Sequence, residues 1–301
     1  MKAVVVSEFG GPERVEIAEV PLPRPEAGQV RVRVRAAGVN PVDGAVRAGV
    51  FGGAGQRIGL GWDVAGEIDE VGAGVAGWAA GQRVVGLHYG TVKPLGTHAE
   101  YAVLDATAIA AAPATVDTAT AAGLPLAGLT AGRAVDLLGL APGSSVLVTG
   151  AAGVVGALAV QLAVRAGLEV TALAGAGDEA YLRSLGAAAF VPRGGAGPAE
   201  PVDGVLDAAV LGESALGFVR DGGVYVGLIP GAAPAPAAER GVRVVEQEVA
   251  ADGEHLARLV SLVDAGGLAL RAGEAFDLAD AAEAHDRLAT PGVRGRIILT
   301  A

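Results

Sequence analysis

The 301-residue sequence contains no cysteine. That excludes disulfides, thiolate nucleophiles and cysteine-ligated zinc. Aromatic residues make up only 4% of the chain, so its core must be assembled from Ala, Val and Leu, and a hydrophobic content of 51% supplies them. Basic charge is short as well: 22 Lys and Arg, few of them Lys, stand against 33 Asp and Glu, for a formal net charge of −11. A surface of that sign argues against a nucleic-acid partner. Unbroken apolar runs are also missing. Residues 137–164 carry no charge and would be long enough to cross a membrane, but Pro142, Gly143, Ser144, Ser145 and three later glycines interrupt them, and no basic cluster flanks them. We therefore expect no membrane partner. Met1-Lys2 leads directly into the strand-like AVVV without a signal-peptide pattern, and the expected location is cytoplasmic.

What the chain does have is concentrated in SVLVTGAAGVVGALAVQLAVR, residues 145–165. A short apolar run reads as a buried strand, Gly150, Gly153 and Gly156 follow at a spacing of three, and helical apolar spacing comes next. A strand that turns through small residues into a helix makes an anion site, because the first helical N–H groups and the helix dipole both point at the turn. Gly150 permits the sharp turn, Gly153 lets a pyrophosphate approach the backbone, and Gly156 lets helix and sheet pack closely. With 48 glycines in the chain, the bland alternative is an accidental spacing at an ordinary strand–helix junction.

The length suggests two domains. From residue 2 to about 104 the signals are strands and turns. In residues 29–36, Val30, Val32 and Val34 alternate with Arg31, Arg33 and Arg35, which predicts a half-buried strand whose arginines face solvent. Near Asp117 the pattern changes. Asp117 or Thr118 is placed to cap a helix, and residues 125–140 carry helical spacing up to the stop Ala141-Pro142-Gly143. Beyond the glycine motif, strands are expected at 169–174, 189–191, 204–208, 223–228 and 242–249, with helices at 178–185, 213–219 and 255–265 and a Pro/Ala-rich loop at 230–238. Alternating strands and helices predict a parallel sheet covered on both faces. A helix at 278–288 and a last strand at 296–300 should return to the first domain.

These blocks together resemble the zinc-free quinone oxidoreductase branch of the medium-chain dehydrogenase/reductase superfamily. The resemblance runs through MKAVVVSEFGGPERVEI, RAAGVNPVDGAVRAG (35–49), GWDVAGEIDEVGAGVAGWAAGQRVVGL (61–87), GTHAEYAV (96–103), LPLAGLTA (124–131), the glycine motif and GVRGRIILT (292–300). It implies an α/β fold: a GroES-like β-rich catalytic domain over 1–122 and 269–301, and a Rossmann cofactor domain with a doubly wound parallel sheet over 123–268, with the cofactor in the cleft between them. Relatives commonly dimerise through their Rossmann sheets, so a homodimer is expected, with residues 242–245 as a candidate seam. Zinc-dependent members use Cys, His and Glu at the metal. Here Gly61-Trp62-Asp63 stands where their His-Glu pair would be, and His88 and His98 lack further ligand partners, so no zinc is expected.

The resemblance also implies site residues. The cofactor positions are Asn40, Pro41 and Thr130, the turn Gly150, Ala151, Ala152, Gly153, Val154, Val155 and Gly156, then Ala174 and Gly175, and finally Ala208, Leu228, Ile229, Arg294 and Arg296. An acid about twenty residues past the turn marks NAD sites; this strand ends Ala172-Leu173-Ala174-Gly175 without one. Arg193 stands where relatives commonly carry a Tyr beside the adenine ribose phosphate, and its guanidinium suits a 2′-phosphate, so NADPH is favoured over NADH although Asp178 and Glu179 lie nearby. Asn40, Asp43 and Tyr89 are the catalytic candidates: an amide donor, an orienting carboxylate and a proton donor. Asn-Pro and Pro-x-Asp are equally good turn chemistry. Phe51, where relatives often have Tyr, joins Trp62, Leu126 and Gly132 as pocket residues. The implied reaction is NADPH-dependent, zinc-independent hydride transfer to a quinone or α,β-unsaturated carbonyl. Alternatives are an enoyl reductase of polyketide or secondary metabolism, and an NADPH-binding redox sensor or structural protein with little turnover.

Overall fold

The computed structural model describes residues 1–235, 238–290 and 292–301. The expected loop at 230–238 therefore falls partly outside the described residues. The chain divides into two compact units, Met1–Leu126 with Ala250–Ala301, and Ala127–Val249.

The first unit opens with β1 (Lys2–Val6), β2 (Glu16–Glu19), β3 (Gln29–Val39), α1 (Pro41–Arg47), β4 (Ile58–Gly59), β5 (Asp63–Val71), β6 (Arg83–Leu87), β7 (Tyr101–Asp105), β8 (Ile109–Ala111) and α2 (Thr118–Ala121). Helix α3 (Pro125–Leu138) leads into the second unit, which holds β9 (Ser145–Thr149), α4 (Val154–Arg165), β10 (Glu169–Ala174), α5 (Glu179–Ser184), β11 (Ala189–Pro192), β12 (Val202–Asp207), α6 (Glu213–Leu216), β13 (Val219–Gly227) and β14 (Arg243–Glu246). The chain then returns to the first unit as α7 (Gly253–Asp264), β15 (Ala272–Asp277), α8 (Ala281–Ala289) and β16 (Arg296–Thr300).

In the first unit β2-β1-β4 form one sheet and β15-β16-β3-β5-β6-β8 another, with β7 paired to β3. Strand β3 has the alternation its sequence calls for. Val30, Val32 and Val34 are buried, while Arg31 pairs with Asp69 and Glu70 and Arg35 with Glu67, so the arginine face is neutralised by acids of the neighbouring β5. Helix α7 lies against β8 in this unit, whereas a boundary at 268 assigns it to the second domain. The close contact is physical: a Cβ on Gly253 would stand 2.4 Å from the Ile109 carbonyl oxygen.

The six strands of the second unit run parallel in the order β11-β10-β9-β12-β13-β14. Numbered within the unit this is 3-2-1-4-5-6, the dinucleotide-binding order, whose switch point lies where β9 and β12 diverge. Two expected elements are shorter than their sequence pattern. Helix α6 stops at Leu216 because Val219 is claimed by the ladder to Val202. Strand β14 ends at Glu246, whose carboxylate turns back to accept from Gly231 and Ala233. It is an edge strand, and the candidate seam at 242–245 lies on it.

Candidate active site

In the second unit the residues that matter cluster at the carboxyl ends of the parallel strands, where ligands of such sheets bind. Strand β9 ends at Thr149, and Gly150 takes φ +57°, a left-handed conformation that favours glycine. The turn closes through Gly153 N–H donating to Gly150 O at 2.9 Å. A Cβ on Gly156 would sit 2.3 Å from Gly150 O, so only glycine lets α4 start this close to the turn. Gly153 is exposed and caps α4 without any side-chain acceptor, which leaves the first-turn N–H groups to an outside anion. A pyrophosphate fits this arrangement. Ala151 is buried, and Ala152, Val154 and Val155 are partly exposed around it.

The turn rests on a buried polar post that sequence reasoning missed. Asp207 accepts from the Thr149 hydroxyl through one oxygen, and from Gly212 N–H at 2.9 Å and the Tyr225 hydroxyl at 2.6 Å through the other. Thr149 Oγ1 in turn accepts from Ala209 N–H at 3.0 Å. Burial, followed by the Asp207 carboxylate, pushes the Tyr225 phenol well above its ordinary range, so it stays a donor. The legible signal was an acid closing an apolar run at 202–207.

Beside the turn, Ala174 is buried at the end of β10, and Arg193 N–H donates to Ala174 O at 2.7 Å. This fixes the Arg193 backbone next to the acid-free end of β10 while its side chain is exposed. Gly175 begins a short turn that brings Asp178 close by. Ala208 and Leu228 are partly exposed, Ile229 is exposed, and Val210 projects 45% exposed from a left-handed backbone of φ +55° that β-branched residues avoid. Thr130 and Gly132 lie buried on α3.

The first unit holds a second cluster. Asn40 is the residue before α1, and both oxygens of Asp43 accept backbone N–H groups, Asn40 at 2.8 Å and Gly61 at 2.9 Å. Asp43 therefore holds the start of α1 and the Gly61 backbone in place. The Asn40 amide donates to Asp63 Oδ2 at 2.8 Å and to Gly38 O at 3.2 Å, leaving its buried Oδ1 without a partner. Asp63 Oδ1 accepts from Leu126 N–H at 2.6 Å. Burial pushes the Asp63 carboxyl up to about 6, against the opposing pull of the Arg296 charge and these two hydrogen bonds. His98 Nε2 lies 3.0 Å from Gly38 O and 4.0 Å from Asp43.

Trp62 is buried next to Asp63, with the Tyr89 ring edge-on to it at 5.3 Å and Lys93 Nζ 5.0 Å from its centroid. Tyr89 and Phe51 are each 45% exposed, and Pro41 and Arg294 are exposed. Arg296, expected among the cofactor residues, is buried in the first unit and donates to Val39 O at 3.4 Å. Asn40, Asp43, Trp62, Tyr89 and the Leu126 backbone are thus brought into one neighbourhood, and Asp63, Lys93 and His98 join them. Asp63 and His98 stood in the sequence only as failed zinc ligands. Lys93 lies in the loop 87–94, the stretch least like the family and therefore expected to help set substrate choice, but carried no signal of its own.

The chain lacks cysteine, and among the described residues no group of three or more His, Asp or Glu is placed to hold a metal ion.

Two family models match the chain, the alcohol dehydrogenase GroES-like domain over residues 26–114 and the zinc-binding dehydrogenase over 178–299. The NADPH-dependent alkenal/one oxidoreductase of Arabidopsis thaliana chloroplasts is 31% identical over 99% of this chain and 79% of its own length. Erythronolide synthase EryA2 of Saccharopolyspora erythraea is 44% identical over 53% of this chain, and the match spans 4% of that much longer protein. Among solved structures, the quinone oxidoreductase of Coxiella burnetii superposes with a TM-score of 0.89 at 27% identity, covering 100% of this chain and 99% of that one. An NAD-dependent alcohol dehydrogenase superposes with a TM-score of 0.90 at 31% identity and full coverage of both chains. With its GroES-like sheet, its 3-2-1-4-5-6 parallel sheet and these relatives, the chain belongs to the quinone oxidoreductase branch of the medium-chain dehydrogenase/reductase superfamily.

Proposed function

We propose that the protein is an NADPH-dependent reductase that delivers hydride to a quinone or an α,β-unsaturated carbonyl without a metal. The observation that carries the reading is the open glycine turn at 150–156 together with the exposed Arg193 beside an acid-free β10 end. The α4 N-terminus would hold the pyrophosphate, and Arg193 the 2′-phosphate. Bound there, NADPH supplies the hydride; the chain's own residues need only hold the acceptor, exclude water and favour charge developing on its oxygen. The Asn40 amide hydrogens are already given to Asp63 and Gly38, so the expected role of amide donor to the substrate is taken up; what Asn40 still offers is its buried Oδ1, an acceptor for an N–H or O–H group and not for a carbonyl oxygen. The similarity to a named alkenal/one oxidoreductase supports the acceptor class.

The test is oxidation of NADPH and NADH against a panel of quinones and enones, with Arg193→Ala alongside. Loss of a charge-assisted contact of about 1.5–3 kcal/mol should raise KM for NADPH roughly 10- to 100-fold and leave NADH unaffected. Equal use of both cofactors by the wild type, or an unchanged KM in the variant, would refute the phosphate assignment. The similarity to erythronolide synthase EryA2 supports a second reading, an enoyl thioester reductase. Faster turnover of a crotonyl pantetheine thioester than of any quinone would select it.

A further inference from the structure

The chain has two lysines, Lys2 and Lys93. Lys2 is exposed; Lys93 is only 9% exposed. Its Nζ donates to the His88 carbonyl oxygen at 2.7 Å and lies over the Trp62 ring at 5.0 Å, and among the described residues no carboxylate approaches it within ion-pair distance. An ammonium carries three N–H donors, so two remain. Burying a cation with spare donors is costly unless an acceptor completes them. The surroundings suggest which acceptor. Trp62 offers its face to Lys93 and meets the half-exposed Tyr89 ring edge-on at 5.3 Å. Trp62 is itself buried, so the open aromatic surface is the Tyr89 ring, and a flat conjugated molecule with an oxygen at one end matches that ring with one proton-bearing group behind it.

We propose that Lys93 is a catalytic acid of the acceptor site, whose spare N–H donors take the carbonyl oxygen of a conjugated ketone or aldehyde resting on Tyr89. The assignment rests on the reductase reading above. If a bound nicotinamide cofactor supplied hydride to the β-carbon of such an acceptor, the new C–H bond would form there and the C=C pair would shift to join the α- and carbonyl carbons. The C=O π pair moves onto oxygen, an Nζ–H bond breaks, and that proton completes the enol. Lys93 is left as the neutral amine and regains its proton from water. Its surroundings tune it for this. Burial pushes Lys93 down to about 8, with the charges of Asp43 on α1 and Asp63 on β5 opposing the fall. His88, the titratable neighbour in its own loop, is itself pushed down to about 3 by burial and by Lys93, so it stays neutral. An acid near the working pH suits both halves of the proton cycle.

The experiment compares kcat/KM for an enone from pH 6 to 10 in the wild type and in Lys93→Met, Lys93→Arg and Tyr89→Phe. Activity in the wild type should fall above pH 8. Lys93→Met should lose that limb along with about 10²- to 10³-fold of rate, the cost of one oxyanion donor. Lys93→Arg should show a flat alkaline profile, and Tyr89→Phe should keep the limb. A second measurement needs no turnover: with lysine labelled at ¹³Cε, two signals exist, and the buried one should titrate near 8 and shift when cyclohexanone is added. A Lys93→Met variant with the wild-type rate and profile, or a buried signal that titrates near the ordinary value of about 10.4 and ignores the ketone, overturns the proposal. If the wild type reduces no acceptor yet the signal responds to cyclohexanone, the reductase reading fails and the carbonyl site stands.

Discussion

Replacing Asp63 by Asn isolates the cost of holding one carboxylate away from water. In the folded chain burial raises this carboxyl from 3.8 to about 6, despite Arg296, Asn40 and Leu126 pulling the other way. Between those values the folded state binds more protons than the unfolded state, so unfolding free energy falls as pH rises. The contribution is fully present below the unfolded value and lost above the folded one, the reverse of a salt-bridged carboxylate. A shift of about two units at roughly 1.4 kcal/mol each amounts to about 3 kcal/mol. Asparagine has the same shape and no proton to lose. It can accept from Leu126 N–H but then turns an amine toward the Asn40 amide, at a cost of about 1–3 kcal/mol that does not change with pH. The stability of the wild type minus that of the variant should therefore drop by about 2.5 kcal/mol between pH 4 and 7, the rest of the linkage lying below pH 4 and above pH 7. Urea melts at matched pH, followed by tryptophan fluorescence, measure it directly, because Trp62 and Trp78 both lie in the first unit. Taking the difference cancels His285, which burial pushes down to about 4 and whose stability contribution is lost as pH falls through that value. Parallel pH curves for the two proteins would refute the reasoning.

Three further outcomes follow from the second unit. Gly156→Ala places a Cβ 2.3 Å from a backbone oxygen, so it should destabilise that unit by about 1–3 kcal/mol. Gly153→Ala, whose Cβ meets the Gly150 oxygen at a tight 3.2 Å, should lower the melting temperature less than Gly156→Ala and weaken NADPH binding in a fluorescence titration. Val210→Asn should raise stability by about 1 kcal/mol, because asparagine tolerates the left-handed backbone that valine resists. A lower melting temperature in that variant would show that the exposed valine side chain contributes more than its strain costs.

Much of this protein is legible along the chain because the signals are local. The alternation of Val30, Val32 and Val34 with arginines requires a one-sided strand, and residues 169–174 and 296–300 have the bounds of β10 and β16. The turn at Gly150, Gly153 and Gly156 is likewise a matter of backbone sterics over seven residues, legible as a tight strand–turn–helix junction with no knowledge of its neighbours. The polar chemistry of the first unit is different. Asn40 and Asp63 stand 23 residues apart and meet only because β3 and β5 pair in one sheet. Lys93 becomes a shifted, half-satisfied cation only through the His88 carbonyl and the Trp62 ring that the folded loop sets against it. Asp207 is tied to Thr149 and Tyr225 by adjacency of β12, β9 and β13. Periodicity and turn chemistry act between neighbours in sequence, so the chain alone determined the two kinds of sheet and the glycine turn. Burial and charge act between neighbours in space, so only the tertiary structure decided which side chains lose water, which protons they keep and which donors remain free for a substrate.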